Sequence, residues 1–200
     1  MRRFLVCLAA VSLSACSSLP QSISVDDPEA AWAQRQAELK GIRYFRIAGR
    51  MSIANGVEVW QVSVFWQQRG DDFQIQLSGP FGSGKVQLSG SHTGDVKLQT
   101  GEGTFRATSA DRLLYEQTGV TMPVSGLRYW LLGLPDPNLA EQQHSLDAAG
   151  RLARLNHADW DVLLKRYVNV NGMDLPNKIF VSKDDVEVRL VIDKWSLGLS

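Results

Sequence analysis

The sequence predicts a mainly β protein, an antiparallel meander with short apolar helices set over an open sheet, and three observations lead there. From Tyr44 onward apolar and polar residues alternate with period two, as Phe73, Ile75 and Leu77 do against Asp72, Gln74 and Gln76, the pattern of half-buried strands. Turn dipeptides such as Asn55-Gly56, Arg69-Gly70 and Thr93-Gly94 separate these runs at hairpin spacing. The alternation lapses only between Ser109 and Pro135, where Leu113, Leu114, Leu127, Tyr129, Trp130, Leu131 and Leu132 concentrate apolar side chains. With 200 residues and 44% hydrophobic content, the chain has enough apolar surface for one domain with a real core.

Residues 1–15 read as a secretory leader: Arg2 and Arg3 give a positive start, and Phe4 to Leu13 an apolar run too short to span a bilayer. Leu13-Ser14-Ala15-Cys16 resembles a lipobox, in which the cysteine is acylated and becomes the first residue of the mature chain. Cys7 would leave with the leader and Cys16 would carry the lipid, so the remaining domain is expected to hold no disulfide, thiolate metal site or cysteine nucleophile. More than one acyl chain at Cys16 meets the two-signal requirement for stable anchoring. Ser17, where inner-membrane lipoproteins of enteric bacteria often carry Asp, favours the outer membrane. Residues 16–27, polar and interrupted by Pro20, then form a tether, and residues 28–200 a single domain.

Asp27 as N-cap, Pro28 at the first helical position and Gly41 as a stop predict a helix over Pro28 to Lys40, with a thin apolar face of Trp32 and Leu39. Strands are expected over Phe45–Ile53, Val57–Gln67, Asp72–Ser78, Lys85–Ser89, Asp95–Gln99 and Thr104–Thr108. The second carries Trp60, Val62, Val64 and Trp66 on one face and Val59 and Phe65 on the other, so both of its faces are expected to be dry. In the apolar insert, Ser109 caps one short helix ending at Gly119, and Ser125 a second running to Leu132 before Gly133 and Pro135. These helices are either a lid over the open sheet or plain core covering one of its faces. Strands resume near Gly150, over Arg151–His157, Trp160–Val168, Lys178–Ser182 and Val186–Leu197, with Asn169 to Asn177 as a loop.

One loop stands apart. Phe81 sits among Gly79, Pro80, Gly82, Ser83 and Gly84 between two strands, where it either folds back onto the core or projects toward something apolar. The same stretch nearly spells a P-loop, but Val86 stands where a Ser or Thr would hold magnesium, and a strand follows in place of a helix. Nucleotide binding is therefore not expected. Lys+Arg and Asp+Glu balance at 21 each, so no bulk charge recruits nucleic acid.

Catalytic signals are missing in kind. His92, His144 and His157 share no ligand spacing and read as surface residues; Asp71/Asp72 and Asp184/Asp185 read as solvated turn residues rather than acid–base pairs. No cofactor, metal or enzymatic activity is implied. The six tryptophans are the more informative feature, since five of them (Trp60, Trp66, Trp130, Trp160 and Trp195) fall in expected strands or in the apolar insert. They make either a heavy core or the rigid walls of an apolar cavity.

Phe65-Trp66-Gln67-Gln68, the Gly79-Pro80-Phe81-Gly82-Ser83 loop, Met122-Pro123-Val124, the string from Leu127 to Pro135 and the closing Ile192-Asp193-Lys194-Trp195 together resemble the LolB family of outer-membrane lipoprotein receptors, from the lipobox to the C-terminus. The resemblance implies an open antiparallel half-barrel with short helices covering an apolar cavity. It implies a monomer, anchored by lipid at the periplasmic face of the outer membrane, that takes acylated lipoproteins from the periplasmic carrier LolA and places them in that membrane. Trp66, Trp130, Trp160 and Trp195 match tryptophans associated with the cavity, beside Leu131 and Leu132 of the insert. Phe81, flanked by Pro80 and Gly82, matches an exposed loop residue, usually Leu, that enters the membrane. The competing expectation is a lipid-anchored structural or assembly factor whose aromatics form an ordinary core, without an acyl cavity.

Overall fold

The computed structural model describes residues 24–80, 84–92, 94–139 and 141–198, and of residues 141 and 142 the backbone alone. Cys16, the leader, most of the tether, Phe81 and Gly82 lie outside the described residues.

The chain opens with α1 (Pro28–Lys40), continues through strands β1 (Tyr44–Ala54), β2 (Val59–Arg69), β3 (Asp72–Ser78), β4 (Val86–Ser91), β5 (Val96–Gln99) and β6 (Thr104–Ala107), then helices α2 (Ala110–Thr118) and α3 (Val124–Trp130). Strands β7 (Glu141–Leu146), β8 (Leu152–His157), β9 (Trp160–Val170), β10 (Met173–Lys183) and β11 (Val186–Leu197) complete it. All strands join one antiparallel sheet of order β6-β5-β4-β3-β2-β1-β11-β10-β9-β8-β7. Each half of the chain is a meander, and the two halves meet where the first strand pairs with the last, from Phe45↔Leu197 to Ala54↔Glu187. The edge strands β6 and β7 do not pair with each other, so the sheet stays open, as expected.

Alternation sends one face of this sheet inward. Phe45, Ile47, Met51 and Ile53 of β1, Val64 and Trp66 of β2, Phe73, Ile75 and Leu77 of β3, and Val188, Leu190 and Ile192 of β11 are all buried. The α2–α3 segment must travel from one sheet edge to the other, and it covers this face with buried Leu113, Leu114, Val124, Leu127, Trp130 and Leu131. The opposite face is wet, which corrects the expectation of two dry faces on β2: Val59 is 64% and Phe65 39% exposed.

Helix α1 begins as its cap predicts, with Asp27 Oδ1 accepting from the backbone N–H groups of Glu29 (3.1 Å) and Ala30 (3.0 Å). Only Trp32 and Leu39 are buried. Gly150, at φ +67°, lets the turn before β8 press against this helix, because a Cβ there would stand 2.7 Å from that of Ala31 and 2.8 Å from the Pro28 carbonyl oxygen.

Three further expectations are corrected. The segment from Asn169 to Asn177 is no loop: β9 and β10 run on to a tight turn at Asn171 and Gly172, both at positive φ as a type I′ hairpin requires. Pro176 sits inside β10, tolerated because β11 pairs with β10 only from Lys178 onward, which leaves Pro176 a strand partner on the β9 side alone. Strand β7, Glu-Gln-Gln-His-Ser-Leu, was not expected at all; it is an edge strand, where polar residues suit the unpaired side and no alternation is needed. Helix α3 starts at Val124 behind Pro123, so Ser125 is inside it and not its cap.

Candidate functional site

The apolar insert is tied together before it is tied to the sheet. Asp111 of α2 accepts through Oδ1 from both the backbone N–H (3.2 Å) and the hydroxyl (3.3 Å) of Ser125 in α3, and burial pushes its carboxyl above the usual carboxylate range. Ser125 thus links helices instead of capping one.

Trp130, at the end of α3, is fully buried and folds back over its own helix. Gly126 makes this possible: a Cβ at that position would come within 2.6 Å of the indole ring. The indole Nε1–H donates to Nδ1 of His157 at 3.3 Å, and Nε2 of His157 lies 3.1 Å from the Leu139 carbonyl oxygen. An indole N–H can only donate, so Nδ1 is the acceptor and Nε2 carries the hydrogen that bonds Leu139. His157 itself is wholly buried, contrary to the surface placement expected of it, and His92 is half-buried against the Phe73 ring with centroids 4.7 Å apart. Burial lowers the pKa of His92 to about 4.

On the facing strand Trp66 is also fully buried, and its Nε1–H donates to Oε1 of buried Gln68 at 3.0 Å. The Gln68 amide passes the bond on, Nε2 donating to the Gly70 carbonyl at 2.8 Å. That carbonyl, in the β2–β3 turn, also accepts from Nη2 of Arg128 in α3 at 2.8 Å, and the same guanidinium nitrogen reaches Asp71 Oδ1 at 2.8 Å. Helix α3 is therefore held to the sheet at two polar points: Arg128 on the β2–β3 turn, and Trp130 on His157.

Beside the first of these points opens a pocket of about 470 Å³. Its apolar wall includes Leu39, Ile42, Phe45, Tyr129 and Leu132; Gln68, Arg43 and Arg128 edge it. This size is within the range of small-molecule sites. Of the side chains expected at a cavity, Leu132 lines this pocket, while Trp66, Trp130 and Leu131 belong to the closed interior behind it. Trp160 and Trp195 are half-buried at the margin of the same core; the Trp195 ring lies 5.8 Å from that of Phe45, and its Nε1–H donates to the Pro176 carbonyl at 3.2 Å. Pro80 is exposed at the foot of the loop after β3.

Sequence reasoning gave Gln68 and Arg128 no role beyond the motifs in which they stand, and placed His157 at the surface. Two signals were available: Gln68 follows Trp66 by two residues in a strand and so shares its face, and Arg128 is the one cation in the apolar string from Leu127 to Pro135. Among the described residues no group of three or more His, Cys, Asp or Glu side chains is placed to hold a metal ion, and no helix is long and apolar enough to cross a membrane.

A family model described as "Outer membrane lipoprotein LolB" matches residues 43–195. A protein of Nitrosococcus oceani named outer-membrane lipoprotein LolB is 39% identical over 197 residues, 98% of each chain. One of the same name from Alkalilimnicola ehrlichii is 37% identical over 192 residues, covering 96% of this chain and 94% of its own. Among solved structures, a LolA-superfamily protein from Nitrosomonas europaea is similar at a TM-score of 0.52 and 9% identity, over 90% of this chain and 96% of that one, a likeness of fold alone.

Proposed function

The chain belongs to the LolB family of outer-membrane lipoproteins, and from that membership we propose that it receives acylated lipoproteins from the periplasmic carrier LolA and places them in the outer membrane. Its family is one of outer-membrane lipoproteins, not of enzymes. Anchored through acylated Cys16 at the periplasmic face and held off the bilayer by the tether, the domain takes up the client's acyl chains between α3 and the sheet.

The observation that carries this reading is the attachment of α3. Apolar on the side facing the sheet, the helix is fixed by the Arg128 and Trp130 bonds, and the pocket bounded by Leu132 and Phe45 opens beside the Arg128 point. An acyl chain entering there meets Leu132 first, then Leu131, Trp130 and Trp66 as α3 lifts, with Trp160 and Trp195 at the margin. Each methylene removed from water contributes about 0.8 kcal/mol, so a chain cannot cross the aqueous periplasm bare and passes instead between apolar compartments of rising affinity. The direction of transfer then needs no nucleotide.

Full burial of Trp66 and Trp130 also suits the second reading, a lipid-anchored structural factor with a filled core. The two separate in one experiment. A fluorescent fatty acid is titrated into the protein and then displaced with a purified acylated lipoprotein; saturable binding followed by displacement is expected. A probe that never binds, in a protein that folds normally, would leave only the filled core.

A further inference from the structure

We propose that the tip of the β1–β2 hairpin, through Val57 and Val59, is a second membrane-contact surface that rests on the lipid bilayer beside the loop after β3. The proposal rests on the reading that this loop faces the membrane. Val57 is 91% and Val59 64% exposed, more than any other large hydrophobic residue among those described. A lone exposed valine needs no explanation, but two at one projecting tip do.

The tip stands clear on the β3 side only; on the other side β11 accompanies β1 to Ala54↔Glu187, and the β10–β11 turn lies beside it. Pairing of β1 with β2 continues to Ala54↔Val59, whereas β3 leaves β2 at Ser63↔Ser78. The hairpin thus extends beyond the end of β3 by about four residues, roughly 13 Å at strand rise. Antiparallel order puts the loop after β3 at this same end of the sheet, and Gln61, Val62 and Ser63 of the hairpin share a groove of about 360 Å³ with Gly79 and Pro80 at that loop's foot. Hairpin and loop foot form one continuous rim.

Three backbone N–H groups of the tip are satisfied from within. Asn55 Oδ1 accepts from the N–H groups of Val57 (3.3 Å) and Glu58 (2.9 Å), and the Asn55 N–H donates to the Glu58 carbonyl (3.2 Å). Such closure lowers the cost of bringing a turn into a poorly hydrated interface.

Charge identifies the partner further. Glu58 flanks Val57, the Asp185 carboxylate lies against Gly56, and Asp184 follows at the neighbouring turn, while Lys183 is bound to Asp159 at 3.4 Å. The cations nearer the loop foot, Arg50 and Arg189, are paired with Asp193 and Glu187, and Lys85 lies beyond the loop, so the hairpin tip itself carries carboxylates and is not drawn to anionic headgroups. Its contact is apolar and shallow, on zwitterionic lipid.

The test uses the full-length lipidated protein in liposomes of phosphatidylethanolamine and phosphatidylcholine, with an environment-sensitive fluorophore on Val57→Cys and, as control, on Asn171→Cys at the opposite end of the sheet. Nitroxide-bearing lipids are expected to quench the Val57 probe and leave the Asn171 probe bright. Equal brightness of the two, or a Val57 signal that changes only when the carrier protein is added, overturns the proposal. The unlabelled Val57→Asp/Val59→Asp variant, which touches no core residue, is expected to release clients into liposomes about tenfold more slowly. Quenching requires no client, so a protein that fails to transfer lipoproteins yet shows the Val57 contact counts against the receptor reading alone.

Discussion

Replacing Arg128 with Leu removes one of the two polar attachments of α3 while keeping the apolar stem. The guanidinium loses 2.8 Å bonds to the Gly70 carbonyl and to Asp71, but the carbonyl keeps its bond from Gln68, so no buried acceptor is stranded. Arg128 is 16% exposed and Asp71 54%, which places the ion pair itself near the low surface value; the bond to the partly buried carbonyl is charge-assisted. Together they are worth about 2 kcal/mol. If lifting of α3 admits the acyl chain, the open form gains roughly thirtyfold in population, and apparent affinity for a fluorescent fatty acid tightens by the same factor while the open form stays minor. Denaturation should show the matching loss of about 2 kcal/mol. The Arg128 bond holds the Asp71 carboxyl below its usual 3.8, so its contribution is fully present above that pH and lost as pH falls through the lowered value. The Asp71 part of the difference between variant and parent is therefore flat through neutral pH and narrows only in strong acid, while the charge of Arg128 on His92 narrows it already between about pH 6.5 and 4. Lower stability with unchanged affinity would refute the reasoning and leave α3 a fixed wall.

Trp130→Phe should destabilise by about 1–3 kcal/mol, because the buried Nδ1 of His157 loses its donor, and equilibrium denaturation compared with His157→Leu in a double-mutant cycle should assign most of that loss to the pair. His92, with its pKa lowered to about 4 by burial, is neutral in the fold where the unfolded chain binds a proton, so stability should fall as pH drops from about 6.5 toward 4. His92→Gln should flatten that slope in melts taken across the window. Phe81→Glu should leave client acceptance intact and block release into liposomes, while Phe81→Leu should be nearly silent; release unimpaired by Glu would remove the loop from the membrane step.

Legibility in the sequence followed from how strongly each segment was constrained on one side. Strand β3 was read to the residue, since Asp72 to Ser78 alternates without exception between buried and wet positions. Helix α1 was equally clear because Asp27, Pro28 and Gly41 act locally. Strand β7 was invisible for the opposite reason: pairing on one side only asks little of its side chains. Pro176 pointed to a loop because a proline ordinarily ends pairing, and only the start of β11 pairing as late as Lys178, a tertiary feature, accommodates it. Within the site, the apolar partners Trp66, Trp130, Leu131 and Leu132 stood out by type. The polar ones stood out less, since Arg128 meets Gly70, and Trp130 meets His157, from segments far apart in the chain. The pocket beside Arg128, built from α1, β1, the β2–β3 turn and the stretch after α3, was hidden on the same ground.

The seam between β1 and β11 also bears on how the protein is made. The strand that emerges first waits for the one that emerges last, and until β11 arrives the β1–β6 meander has an unpaired edge in what becomes the middle of the sheet. Closing so long a loop is slow compared with forming hairpins, and exposed apolar strand edges invite aggregation meanwhile. A truncation that removes only the last dozen residues would not shorten the sheet at its rim; it would leave two separate halves, each with an open edge at the break.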